Sequence, residues 1–424
     1  MKLINRKDYL EKIINVKGTP DIKVITGIRR SGKSKLLEEY IDWVRNNDLN
    51  ANIIYIDLTK LSFEKLKEYH NLNEYIERAF DRNKNNYLFI DEIQLCDGFE
   101  LVINSLHSSG NYDIYITGSN AFLLSSDLAT LFTGRTFSIE VFPFSFREYL
   151  TYYEYDDIES AFDNYIINGG MAGSYVYSNM EDRLSYIRDV YDTLIVRDIR
   201  QKYKIRNTLL MDKLSDFMID NVSNITSIRN IAETLTNNKD KINHKTIGAY
   251  INYLCNAYAF YKVKRYDIEG KKYLTSSEKY YLGDHSFKYA KLGTKNYNYG
   301  RVIENIVALE LLRRGYEVYV GKLYKKEIDF VAIRRSEKIY IQVSDDISNE
   351  LTFKREVEPL LKVKDAYPKI IIARTRHEEY QYDGIRVLNI ADWLLSYNNW
   401  YVSSCISYWN CSLSREKISN FSKK

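Results

Sequence analysis

The octapeptide GIRRSGKS at residues 27–34 holds four residues between two glycines and closes on a lysine and a hydroxyl. That is the G-x-x-x-x-G-K-[ST] spacing, in which a bent backbone turns its N–H groups toward phosphates. Gly27 and Gly32 permit the bend, Lys33 reaches the β and γ phosphates, and Ser34 ligates magnesium. The nucleotide-binding set expected from this stretch is Gly27, Ile28, Arg29, Arg30, Ser31, Gly32, Lys33, Ser34 and Lys35. For Arg29 and Arg30, phosphate contact and solvent exposure are both open readings.

A magnesium shell needs a carboxylate, and YLFIDE (87–92) supplies one. Its apolar run delivers Asp91 to hold magnesium through water beside Ser34, and Glu92 to polarise the attacking water as general base. The stretch YITGSN (115–120) brings Thr117, Ser119 and Asn120, placed to sense the γ phosphate or orient that water. Arg135, in FTGRTF, is a candidate to stabilise transition-state charge in cis or across a subunit interface, with a structural salt bridge as its alternative. The expected catalytic residues are thus Glu92, Lys33, Asn120 and Arg135, the expected cofactors ATP and Mg2+.

These groups need a sheet to carry them. KVIT (23–26), NIIYIDL (52–58), YLFIDE, DIYITGS (113–119) and FSIEVF (137–142) are short, β-branched apolar runs separated by stretches of helical spacing such as SKLLEEYIDWVRNN. Runs of this kind are buried parallel strands, and their alternation with helices gives an α/β, doubly wound sheet. Helices follow from about 145 to 225, broken by NGGMAGS (168–174). A helix, turn, helix and hairpin pattern occupies about 226–275, and a further α/β unit about 280–400.

Bulk properties narrow the class. A chain of 424 residues is long for one core, and its net charge of +4 says little by itself about nucleic acid. The four cysteines form no C-x-x-C pair, which suggests neither a disulfide framework nor a zinc site. No stretch approaches the roughly 18 apolar residues needed to span a bilayer, so no membrane contact is expected and the cytoplasm is the expected location.

GIRRSGKS, FIDEIQ, ITGSN and FTGRTFSIEVFPFSFREYL in this order resemble the AAA-type P-loop ATPases of bacteria and archaea that carry a C-terminal winged-helix and restriction-endonuclease-like region. The resemblance continues through RDI (197–199), EKYYLGD (278–284), ENIVALELLRRGYEVYVGK (304–322) and EIDFV (327–331). It implies a P-loop ATPase core over 1–150, a helical lid or connector over 151–225, a winged helix-turn-helix over 226–278 and an endonuclease-like domain over 279–397. Residues 398–424 fall outside it as a variable tail.

In the winged-helix segment, the second helix would lie on double-stranded DNA and the hairpin with Lys262, Lys264, Arg265, Lys271 and Lys272 would form a wing. In the last domain, Glu304 on a helix and Asp329 on a strand match the acids of a metal-dependent nuclease. The next strand departs from that pattern, because Gln342 is a poor magnesium ligand and Ser344 cannot supply a lysine's charge. Glu304, Asp329, Gln342 and Ser344 are therefore expected to form a vestigial, non-cutting nuclease site. The function expected is magnesium-dependent ATP hydrolysis that moves this C-terminal region on DNA, with a second copy of the chain as a further candidate partner. A nucleotide-gated switch with negligible turnover is the alternative, and an active nuclease a third reading.

Overall fold

The computed structural model describes residues 3–118, 132, 134–236, 243–293 and 299–396. Its N-terminal third holds a five-stranded parallel sheet: β1 (Ile22–Thr26), β2 (Ala51–Asp57), β3 (Asn85–Asp91), β4 (Tyr112–Thr117) and β5 (Thr136–Glu140), in the order β2-β3-β4-β1-β5. Alternation along each strand feeds two cores. Val24, Leu88, Ile90, Ile114 and Ile116 face α3 (Tyr69–Arg78) and α4 (Phe99–Ser109). Ile25, Phe89, Tyr115 and Ile139 face α1 (Lys7–Ile14) and α2 (Lys33–Asn47). With helices on both faces the sheet is doubly wound, and β4 stands between β1 and β3, so the ends of all three strands meet at one edge.

Helices α5 (Phe146–Tyr152), α6 (Ile158–Asn168) and α7 (Met180–Thr193) follow. The last runs on into a π-helical segment, Leu194–Gln201. Then come α8 (Thr208–Asp220), α9 (Ile228–Leu235), α10 (His244–Asn256), the antiparallel hairpin β6 (Phe260–Asp267) and β7 (Lys272–Leu282), and α11 (Ser286–Leu292). The chain ends in α12 (Tyr299–Arg313), β8 (Glu317–Leu323), β9 (Lys326–Arg334), β10 (Glu337–Ser344), α13 (Glu350–Leu361), β11 (Lys369–Ala373), β12 (Tyr380–Tyr382), β13 (Ile385–Asn389) and α14 (Ile390–Leu395).

Two findings change the expected partition. The hairpin is not a free wing: β6 pairs in parallel with β8, which makes β6 and β7 the last two strands of an eight-stranded sheet ordered β12-β13-β11-β10-β9-β8-β6-β7. The limit drawn between 278 and 279 consequently lies inside β7. The helical connector is also shared between two cores. Phe146, Phe162, Tyr165 and Tyr175 pack with Ile303, Val307 and Trp393 of the C-terminal unit, whereas Ile187, Tyr191, Leu214 and Ile251 form a separate core. Among the described residues no helix is long and apolar enough to cross a membrane. The tail expected to be variable lies outside the described residues.

Candidate functional site

The loop 27–32 leaves the C-terminal edge of β1 and enters α2, whose first residue is Lys33. Gly27 has φ 139°, and a Cβ there would sit 2.2 Å from the Val141 carbonyl oxygen, so a side chain is excluded by both backbone and space. Gly32 is left-handed as the N-cap of α2, which aims the first free N–H groups and the positive end of the helix at the loop's hollow. The Lys33 ammonium donates to the carbonyls of Gly27 and Ile28 at 3.0 and 3.1 Å. Burial pushes it below the ordinary lysine range, opposed by the charges of Glu92, Asp91 and Asp198.

At the neighbouring strand end, the Thr117 hydroxyl donates to Asp91 and accepts the Glu92 N–H at 3.1 Å. Burial raises the Asp91 carboxyl, and hydrogen bonds from Thr117 and Ser34 work against that rise. Ser34 and Asp91 thus lie near each other at the ends of neighbouring elements. Glu92 turns into the left-handed region at φ 54°, a conformation a non-glycine residue adopts at a cost, and its carboxylate accepts from the Gln94 amide. A hydroxyl and a carboxylate form an all-oxygen pair that suits a hard cation such as magnesium, which takes few protein ligands and relies on phosphate and water for the rest.

The remaining loop residues divide. Ser31 is buried, and its hydroxyl has no hydrogen-bond partner among the described residues. Arg29 pairs with Asp198 of the π-helical segment at 3.5 Å. Arg30 is exposed with φ 66°, and Lys35 points outward to Glu38 at 2.6 Å. Ile28 is buried in the core formed by α7, α8 and α10, which joins the phosphate loop to the C-terminal half. Gly283 permits this: a Cβ there would meet the Tyr258 carbonyl at 2.0 Å and Ile28 at 3.0 Å.

Arg135 requires a correction. Ile22 lies opposite Thr136 and Thr26 opposite Glu140, and the Ile22 N–H donates to the Arg135 carbonyl. Arg135 therefore stands at the N-terminal edge of the sheet, about 13 Å of strand away from the loop, which excludes the in-cis role. Ser119 and Asn120 lie outside the described residues.

One contributor escaped sequence reasoning. Arg6, buried ahead of α1, donates to the Ser31 carbonyl at 2.9 Å and the Phe142 carbonyl at 3.0 Å, and pairs with Glu148 at 2.6 Å. It braces the loop from behind. No motif marks it, because its partners lie up to 142 positions away.

In the C-terminal sheet, Glu304, Asp329, Gln342 and Ser344 do come together, lining a cleft of about 760 Å³. Gln342 accepts the Asp329 N–H at 2.7 Å and donates to Glu356 of α13 at 2.8 Å, while the Ser344 hydroxyl donates to the Asp346 carbonyl. The unforeseen member is Lys279 on β7. Its buried ammonium sits 2.8 Å from Glu304, 2.6 Å from Glu327 and 3.6 Å from Asp329. The period-two alternation of YKVKRY and KYY offered a signal: Lys279 and Tyr281 share a face, and both donate to Glu304. Among the described residues, no group of three or more His, Cys, Asp or Glu side chains is arranged to hold a metal ion.

The first site falls within a stretch that matches a known domain. Residues 19–150 match the AAA domain, and residues 159–298 match a domain of unknown function (DUF8612). An uncharacterized protein of Haemophilus influenzae is 37% identical over 399 residues, covering 93% of this chain and 99% of its own. An uncharacterized protein of Methanocaldococcus jannaschii is 29% identical over 384 residues, covering 86% and 84%. Among solved structures, the Walker-type ATPase PABY2304 of Pyrococcus abyssi aligns with a TM-score of 0.45 at 15% identity, over 68% of this chain and 95% of that one.

Proposed function

This chain belongs to the family of the Haemophilus influenzae protein and carries an AAA domain of P-loop type, and on that premise we propose that it binds ATP and hydrolyses it with magnesium. The observation that carries the proposal is the convergence of Lys33, Ser34, Asp91 and Glu92 at one edge of a parallel sheet, where open α/β sheets bind their ligands. The loop N–H groups and the start of α2 take the phosphates, and Lys33 exchanges its carbonyl partners for phosphate oxygens. Ser34 and Asp91 would hold magnesium, which when bound neutralises charge on the phosphate oxygens. Glu92 accepts the proton of the attacking water, steadied by Gln94, and Thr117 links Glu92 to Asp91 through one hydroxyl.

Asn120 is assigned to orient the water. Arg135, exposed at the far edge, is assigned to a neighbouring copy of the chain. Helices α9 and α10, beside the sheet edge formed by β6 and β7, lie on double-stranded DNA, and the C-terminal sheet is a restriction-endonuclease-like fold kept for binding. The contact of Ile28 with the core of α7, α8 and α10 supports coupling between nucleotide and this half. The cytoplasm is the setting that fits.

The test is steady-state phosphate release by the wild type and by Glu92→Gln, each with and without duplex DNA at low and moderate salt. Turnover that rises with DNA and vanishes in Glu92→Gln is expected. Equal turnover in both proteins removes the assignment of Glu92. The tie between Ile28 and the second core also favours a second reading, a nucleotide-gated switch. Nucleotide retained with turnover near zero would select it.

A further inference from the structure

The motif RDI has no role in the chemistry above, yet it faces the phosphate loop. Asp198 is 5% exposed and sits in the π-helical segment Leu194–Gln201. Leu194, Ile195 and Ile199, on either side of it, pack in the same core as Ile28. The loop and this segment are therefore held against each other by apolar contacts, and across that contact Asp198 reaches Arg29 at 3.5 Å. It also acts on Lys33 from the lid side, whereas Asp91 and Glu92 act from the sheet. A π-helix is rare, and its wide turns are found at functional sites more often than chance.

Resting on the nucleotide reading above, we propose that Asp198 is a positioning residue whose carboxylate competes with the terminal phosphates of the nucleotide for Arg29 and Lys33. A triphosphate entering the loop offers those two cations a higher negative charge than one carboxylate. Binding then exchanges a contact between loop and lid for contacts between loop and phosphate. The segment 194–201 then loses the tie between Asp198 and Arg29 and keeps its apolar contacts with the loop. Because α7 continues into this segment and α8 packs beside it, the exchange is felt in the core of α7, α8 and α10.

A structural acid and a competing acid differ in sign. Removing a structural acid weakens the site, whereas removing a competitor strengthens it. The experiment titrates wild type, Asp198→Asn and Lys33→Ala with a fluorescent ATP analogue in magnesium, and follows amide hydrogen exchange over 194–201 with and without that analogue. Asp198→Asn is expected to bind about tenfold more tightly, close to the strength of one charge interaction at about 4 Å screened as in water. In the wild type, exchange over 194–201 should rise when nucleotide binds; in Asp198→Asn it should be high already and unchanged. Binding by Asp198→Asn that is equal to or weaker than wild type, with an unchanged melting temperature, overturns the proposal. Tight binding by Lys33→Ala overturns the nucleotide reading itself, so the two failures are distinguishable. Should Asp198→Asn not fold, Arg29→Gln tests the same pair: raised exchange over 194–201 without nucleotide supports it, and unaltered exchange overturns it.

Discussion

Two buried lysines serve this molecule in opposite ways. Lys33 lies among three acids, but its ammonium is hydrogen-bonded to two backbone carbonyls, and burial dominates, so its charge is held weakly. For Lys279 burial also works against the charge, yet Glu304, Asp329 and Glu327 more than offset it, and the ammonium is held above the ordinary lysine range. One cation can change partners; the other closes an ionic knot between β7, α12 and β9. Buried charge is thus not by itself a mark of function. What matters is whether the ammonium rests on backbone carbonyls, as Lys33 does, or is enclosed by several carboxylates at once, as Lys279 is.

The comparison breaks most sharply at Lys33. Lys33→Ala should lower ATP turnover about a thousandfold, because charge developing on phosphate loses its principal cation, while the melting temperature stays within a few degrees. Phosphate release and a thermal melt on the same sample check both halves. Lys279→Met should do the reverse. It strands carboxylates without a cation and should cost roughly 3 kcal/mol of stability, read from denaturant midpoints, with turnover per folded molecule unchanged.

Glu140 sharpens the contrast from the acidic side. Burial pushes its carboxyl up to about 7, against hydrogen bonds from Tyr261 and Tyr258 and the charge of Lys12. Its ordinary value is 4.5, so between 4.5 and about 7 the folded chain holds more protons than the unfolded one. Stability from this group is therefore full below that window and falls as pH rises through it. Comparing wild type with Glu140→Gln by denaturant titration from pH 5 to pH 8 should show a relative loss of about 2 kcal/mol confined to the wild type. The smallest effect expected is at Lys35. Its exposed pair with Glu38 should make Lys35→Ala neutral within about 0.5 kcal/mol and leave KM for ATP within twofold.

The legible parts of the molecule were those written in contiguous stretches. Each of the five apolar runs became a strand within a residue or two, and the loop with its lysine followed from spacing alone. The position of Arg135 was legible as well: a residue just before a parallel strand lies at the end opposite the loop, a constraint that nearness in sequence to Asn120 obscured. What could not be read was assembled from afar. Arg6 reaches Glu148, Lys279 reaches Glu327, and Gln342 reaches Glu356, each through a fold in which neither partner announces the other. The hairpin had the alternation of a wing, but only β8, supplied some fifty residues later, shows it to be the edge of a larger sheet. EKYYLGD joins several such contacts. Lys279 closes the cleft, Gly283 admits Ile28, and Asp284 accepts the Gly170 N–H in the turn NGGMAGS at 2.7 Å.

The burial of Ile28 has a consequence for how the chain is made. The motif GIRRSGKS is synthesised early, but the residues that cover Ile28, from α7 to β7, emerge from the ribosome long after β5 is complete. Until they do, the apolar side chain of Ile28 lacks its cover. The proposed competence to hold a polyphosphate is therefore expected late, when the second core closes, and a chain cut before α7 would carry the full signature with Ile28 uncovered.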